Sequence, residues 1–270
     1  MPASDAIVDP CIECGFCEAV CPSRTLSLSP RQRIVLYREL SRRGRSGEAA
    51  GDLARLFDYQ GIDTCAATGL CADCCPVGIN TGSLIKKLRS DKYQRFVPNA
   101  RWSADHFAGV TRTARGALGL KAIAGKLLGD KALAGLVGGV RKLSGQRTPA
   151  WLPTLPGPSR YQWPPGEGSH SGSSERAVVY LPSCASRVFG QQEDAPSLPD
   201  VVQSLLNKAG CRVIVPVRVE GLCCGMPYDS KGMVEVAQAK RSELAEALWQ
   251  ASEAGRWPVL LDTSPCVQRL

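Results

Sequence analysis

The chain has 270 residues, room for two modest domains, and its 44% hydrophobic content supplies ordinary buried cores. Its formal charge of +8 is concentrated between Arg101 and Arg147, where nine basic side chains stand against Asp105 and Asp130; the aromatic interleaving of a single-strand binder is missing, which argues against nucleic acid as a partner. The 13 cysteines fall in tight clusters closed by Pro or Gly, and polar Ser4 and Asp5 follow Met1 with no apolar signal segment. This excludes a secreted disulfide scaffold and predicts reduced, metal-ligating thiols in the cytoplasm.

The first motif is Cys11-Ile-Glu-Cys14-Gly-Phe-Cys17-Glu-Ala-Val-Cys21-Pro22. Spacings of two, two and three residues before a proline are those of the bacterial ferredoxin run, in which three thiolates wrap one iron-sulfur cluster and the fourth reaches another. Such a run predicts a partner run. Zinc, which favours two separated cysteine pairs, is the alternative.

Next, Ser29-Pro30 marks a capped helix start, and Ile34, Val35, Leu36 and Leu40 carry a helix from about Pro30 to Arg43, broken by Gly44 and Gly47. Leu53, Leu56 and Phe57 mark a second helix ending before Gly61. The partner run follows: Cys65-Ala-Ala-Thr68-Gly-Leu-Cys71-Ala-Asp-Cys74-Cys75-Pro76. The first run has cysteines at offsets 0, 3, 6 and 10; the second has Cys65, Thr68, Cys71 and Cys75 there. Threonine is a poor ligand for iron beside a thiolate, so one iron is expected to be lost. With the fourth cysteine of each run crossing over, Cys11, Cys14, Cys17 and Cys75 would hold a [4Fe-4S] cluster, and Cys65, Cys71 and Cys21 a [3Fe-4S] cluster. In a competing reading Cys74 supplies the missing ligand and the second cluster is also [4Fe-4S]. Otherwise Cys74 is a small buried residue.

This pair of runs resembles the iron-sulfur subunits of succinate dehydrogenase and fumarate reductase, whose helical ferredoxin domain holds one four-iron and one three-iron cluster. The wording Cys11-Ile-Glu-Cys-Gly-Phe-Cys17, Gly61-Ile-Asp-Thr-Cys65 and Cys75-Pro-Val-Gly-Ile-Asn-Thr-Gly82 resembles more closely the iron-sulfur portion of FAD-linked D-lactate dehydrogenases, relatives of glycolate oxidase.

From Asn80, a natural cap, Leu84, Ile85 and Leu88 line one face of a helix to about Phe96, with Pro98 ending it. Residues 102–144 then form basic amphipathic helices too frequently charged to cross a bilayer. They are expected to pack between domains or against a missing subunit; contact with an anionic membrane surface is the second reading. His106, among these helices, is unassigned, and residues 149–175, which contain His170, read as a Pro/Gly/Ser linker.

Beyond the linker, strands Ala177–Leu181, Arg212–Val217 and Pro258–Asp262 alternate with helices Leu198–Ala209 and Met233–Ala254, the signature of a parallel sheet. Cysteines follow each strand: Cys184, then Cys223-Cys224-Gly225, then Cys266. Loops at the carboxyl ends of parallel strands bind ligands. Leu181-Pro-Ser-Cys184, Gly221-Leu-Cys-Cys-Gly-Met-Pro227 and Asp262-Thr-Ser-Pro-Cys266 resemble the cysteine-rich CCG domain of heterodisulfide reductases and of the glycolate oxidase and D-lactate dehydrogenase families. Family members often close this motif with C-x-x-C, whereas Arg269 stands three residues after Cys266. The resemblance leaves open whether Cys184, Cys223, Cys224 and Cys266 bind a cluster, perform thiol chemistry or are buried structurally; Cys211 is expected only in the core. Relatives continue into a second half of this domain and carry a flavin domain ahead of the first run. Here the chain stops at Leu270, no helix is expected over the last strand, and a truncated gene product is one reading.

The expected fold class is α+β: an all-α two-cluster ferredoxin domain over residues 1–98, a helical connector over 99–148, the linker over 149–175 and an α/β partial CCG domain over 176–270. No G-x-G-x-x-G loop follows a strand, so the chain alone is not expected to oxidise a hydroxy acid. The resemblance implies an electron-transfer module serving FAD on a partner domain or subunit that oxidises D-lactate or a similar 2-hydroxy acid, with a quinone or cytochrome as acceptor. The alternatives are a glycolate, glycerol-3-phosphate or succinate type iron-sulfur subunit, or a zinc-binding scaffold. The implied location is the cytoplasm, with a peripheral position on the inner face of its membrane as the second reading.

Overall fold

A computed structural model of the chain describes residues 4–145, 154–161, 176–191 and 195–270. Most of the linker expected at 149–175, with His170, lies outside the described residues. The fold is α+β, and the chain divides into two compact units: Met1–Ala100 with Pro227–Ala237, and Arg101–Met226 with Gln238–Leu270.

In the first unit, α1 spans Pro30–Ser46, α2 Gly51–Leu56 and α3 Leu70–Asp73, and α4 spans Thr81–Tyr93. α1 starts where its chemistry dictates: Ser29 accepts from the Gln32 N–H while the Gln32 side chain accepts from the Ser29 N–H, a complete capping box with proline following. Gly44 stays inside the helix, and Gly47 ends it at φ 69°. α2 continues into a π turn over Phe57–Asp63. Val8, Ile34, Ile79 and Leu84 make the core of this unit, each at most 5% exposed. After a 3-10 turn at Gln94–Phe96 comes α5, Val97–Asp105. Pro98 therefore begins a helix rather than ending one, because proline costs nothing in a first turn whose N–H groups have no partner.

In the second unit, α6 (Phe107–Leu128) and α7 (Asp130–Leu143) precede β1, Ala177–Leu181. Then come α8 (Cys184–Val188), α9 (Leu198–Lys208), β2 (Arg212–Ile214), α10 (Met226–Asp229), α11 (Val234–Ala251), β3 (Val259–Leu261) and α12 (Ser264–Arg269). The α10 region and the start of α11 belong to the first unit, where Lys86 meets Asp229 at 2.5 Å and Arg89 donates to the Ser230 carbonyl at 2.6 Å. The sheet is parallel in the order β2-β1-β3, with Val179 paired to both Ile214 and Val259. β2 is shorter than expected: Pro216 has no N–H to give the ladder. α12 follows β3 where no helix was expected; Pro265 in its first turn makes the short helix start.

Val179, Tyr180, Val213 and Leu244 form the centre of the second core, none more than 2% exposed. Leu244→Ala is expected to cost about 2–5 kcal/mol, the range for emptying a fully buried leucine site, measurable by denaturant unfolding. Among the described residues no helix is long and apolar enough to cross a membrane.

Candidate cluster-binding site

Both cysteine runs are held by an arginine on the helix that packs behind them. Arg38 of α1 donates through one nitrogen to the carbonyls of Val8, Asp9 and Cys11 at 3.0, 3.0 and 3.1 Å, fixing the entry to the first run. Arg89 of α4 donates to the carbonyls of Ile62, Asp63 and Cys65 at 2.7, 3.0 and 2.6 Å, fixing the entry to the second. Such convergent carbonyls would otherwise be buried without donors.

Beyond these entries the two loops repeat one another's backbone. Glu13 and Gly15 have φ of 59° and 83°; Ala67 and Gly69, two and four residues after Cys65, have φ of 51° and 85°. Gly15 and Gly69 then each start a short helical turn, Phe16–Glu18 and α3. A left-handed conformation at Glu and Ala costs roughly 1–2 kcal/mol, so its recurrence at matching positions marks a required turn shape. It also puts Thr68 at the backbone position that Cys14 holds in the first loop.

The cysteines sort into two recesses. One, of ≈ 360 Å³ and open to solvent, is lined by Cys11, Cys14, Cys17 and Cys75, with Ile12, Ile34, Val77 and Ile79 as apolar walls. The other, of ≈ 330 Å³ and likewise open to solvent, is lined by Cys21, Cys65 and Cys71, with Thr68, Arg33 and Gly82. Cys75 thus lines the recess of the first run, and Cys21 that of the second. Burial pushes the Cys17 thiol up, while the Ala67 N–H points at Cys65 Sγ at 3.4 Å. Cys74 lines neither recess and is exposed, contrary to the expectation of a small buried residue. It falls at the end of α3, where the turn that carries Cys75 inward carries its neighbour out.

In the second unit the strand-end cysteines meet at the carboxyl edge of the sheet. Cys223, Cys224 and Cys266 are buried and Cys184 is partly so; Cys224 Sγ lies 3.3 Å from Cys266 Sγ. Arg187, 5% exposed, ties the loops together by donating to the carbonyls of Ser183, Val219 and Leu222. Asp262 does the same from the third loop, accepting from the Ser183 N–H at 2.8 Å and the Tyr180 hydroxyl at 3.1 Å. Cys184 is held below the usual thiol range, at about 7, by its hydrogen bond from Cys223 and by the Arg187 charge. Hydrogen bonds from Cys223 and Cys266 lower Cys224 to about 3. Cys211, expected in the core, is half-exposed, because it sits between the Gly210 turn and the start of β2. His106 is exposed, its ring 4.9 Å from Trp102.

Residues 7–79 match the family described as a 4Fe-4S dicluster domain. Over 270 residues the chain is also 24% identical to the glycolate oxidase iron-sulfur subunit of Escherichia coli (strain K12), an alignment covering 97% of this chain and 58% of that protein. The chain therefore spans 58% of the length of that relative. No solved structure matches. Together these findings support the resemblance to the iron-sulfur portion of the FAD-linked oxidases.

The residues of the two recesses fit iron-sulfur clusters. Among residues lining the second recess there is no carboxylate or imidazole to favour a harder ion, and at the first the Glu13 carboxylate is drawn to Arg38 at 2.9 Å. A side chain at Gly82, which lines the second recess, would meet Asn80 Oδ1 at 2.9 Å and Ala67 Cα at 3.3 Å, so the close approach of the Ala67 backbone to α4 favours glycine there. Among the described residues no three His, Cys, Asp or Glu side chains gather tightly enough for one metal ion. Sequence reasoning missed Arg33, Arg38 and Arg89. Arg89 stands four residues after Ile85, on the face that helical periodicity assigns to the core, and a cation there was the available signal.

Proposed function

We propose that this chain is the electron-transfer module of an FAD-dependent 2-hydroxy-acid dehydrogenase. Cys11, Cys14, Cys17 and Cys75 hold a [4Fe-4S] cluster, and Cys65, Cys71 and Cys21 hold a [3Fe-4S] cluster. Iron-sulfur clusters supply one-electron steps, which a flavin reduced by two electrons needs if it is to feed a one-electron acceptor chain. The chain's own residues supply thiolates, apolar walls that limit water, and N–H groups directed at sulfur. The observation that carries the reading is the sorting of seven cysteines into a four-thiol and a three-thiol recess, with Thr68 at the unfilled position.

The flavin belongs to a partner domain or subunit, and a quinone or cytochrome in the cytoplasmic membrane is the acceptor. D-lactate is the proposed substrate class of the assembly, from the wording of the cysteine runs. Glycolate is the second reading, favoured by the likeness to the glycolate oxidase iron-sulfur subunit. In α6 and α7, the exposed Leu120, Leu127, Leu136 and Leu143 suit docking against the flavoprotein or an anionic membrane surface. Cys184, Cys223, Cys224 and Cys266 are a third candidate metal site, of CCG type.

Anaerobic reconstitution with iron and sulfide tests the core of this reading. The expected product is brown, contains acid-labile sulfide and gives two distinct paramagnetic signals, one in the oxidised and one in the reduced protein. Stoichiometric zinc without sulfide would instead establish the scaffold alternative.

A further inference from the structure

The second recess contains a charge that no carboxylate among the described residues balances. Arg33 is 0% exposed. Its Nε donates to the Gly61 carbonyl at 2.8 Å, and its Nη2 faces the Gln60 carbonyl at 3.4 Å and the Ser27 and Thr64 hydroxyls at 3.3 Å each. Its Nη1 points to Cys21 Sγ at 3.9 Å. Every oxygen partner is neutral, and among the described residues no carboxylate pairs with it. The first recess differs: Arg31, which lines it, is paired with Glu18 at 2.9 Å and partly exposed.

Burying a guanidinium without a counter-charge is strongly unfavourable unless an anion faces it. The anion that the geometry offers is the thiolate set of Cys21, Cys65 and Cys71 with the group they bind. Ser27 and Thr64 share a hydrogen bond of 2.6 Å, and the Thr64 hydroxyl also reaches the Gln60 carbonyl at 2.5 Å, so the ring around the guanidinium is closed and the charge cannot swing away.

We infer that Arg33 is the fixed positive charge that sets the reduction potential of the centre held by Cys21, Cys65 and Cys71. The inference rests on the cluster reading above. A reduced cluster carries one more negative charge than an oxidised one, so a buried cation at its ligand favours reduction and raises its potential. The first centre, beside an ion-paired arginine, receives no comparable lift. Arg33 is thus a positioning residue for electron flow: it makes the second centre the better acceptor of the two.

The test is a potentiometric titration of the reconstituted full chain, each centre followed by its own paramagnetic signal. At a fixed poise, Arg33→Gln is expected to lower the reduced-to-oxidised ratio of the second centre at least tenfold, a downward shift of about 59 mV or more for one electron. The first centre should stay in place, and Arg33→Lys should keep the second near its wild-type value. A second-centre potential unmoved by Arg33→Gln overturns the inference, as does an equal shift of both centres. If the Gln variant fails to load its second centre, the Lys variant decides. Reloading at the wild-type potential supports the charge role, and failure to reload assigns Arg33 to packing alone. Wild-type protein showing fewer than two centres would overturn the cluster reading together with the inference; two wild-type centres indifferent to Arg33→Gln would overturn the inference only.

Discussion

Cys75→Ser is expected to abolish the four-iron signal and leave the three-iron signal standing, although Cys75 belongs to the second cysteine run. Cys75 lines the recess of Cys11, Cys14 and Cys17, while its run-mates Cys65 and Cys71 line the other with Cys21. Cys21→Ser should give the mirror result, loss of the three-iron signal with the four-iron one retained. Removing even an outer-shell partner of a metal ligand costs about 10–100-fold in affinity, and removing a thiolate outright should cost more, so occupancy of the affected centre should fall below about a tenth. The measurement is low-temperature paramagnetic resonance of each variant, oxidised and dithionite-reduced, with iron and sulfide determined on the same samples. Uncrossed ligation would reverse both outcomes and sink the assignment.

That Cys75 lines the recess of the first run and Cys21 that of the second was foreshadowed by the cysteine spacing, and so was the equivalence of Thr68 with Cys14, which depends only on counting. The strands of the second unit and the capping box at Ser29 were legible for the same reason: they are local features. Asn80 stands at the N-cap position expected of it, but its side chain makes no cap hydrogen bond there. What could not be read depends on which backbone atoms meet across long separations. Arg38 and Arg89 serve carbonyls 24 to 30 residues away, and a carbonyl leaves no mark in a sequence. Arg33 was hidden differently, one position before Ile34, where a basic residue in a helix ordinarily snorkels to solvent. The π turn at Phe57–Asp63, whose Gln60 and Gly61 carbonyls receive the guanidinium, is what made its burial possible. Misreading Cys74 as buried and Pro98 as a stop had one cause: each lies at a junction between short helical segments, where a single residue of register decides direction.

Thr68→Cys should convert the second centre from three irons to four. The repeated left-handed pair, Glu13 and Gly15 in one loop, Ala67 and Gly69 in the other, gives residue 68 the backbone setting of Cys14. A cysteine there changes a hydroxyl for a thiol of similar size, with no new backbone demand. Thr68 is exposed and already lines the recess, so the substitution should not disturb the core. A soft thiolate holds the iron that a neutral hydroxyl loses. The oxidised protein should then lose its paramagnetic signal and gain a second one on reduction, with one more iron per chain. Cys74→Ser in wild-type protein should change neither signal, because that thiol lies outside both recesses. If Thr68→Cys left the spectrum as it was while Cys74→Ser altered the second centre, Cys74 would be the fourth ligand, and the loop after α3 would have to turn the other way when iron binds.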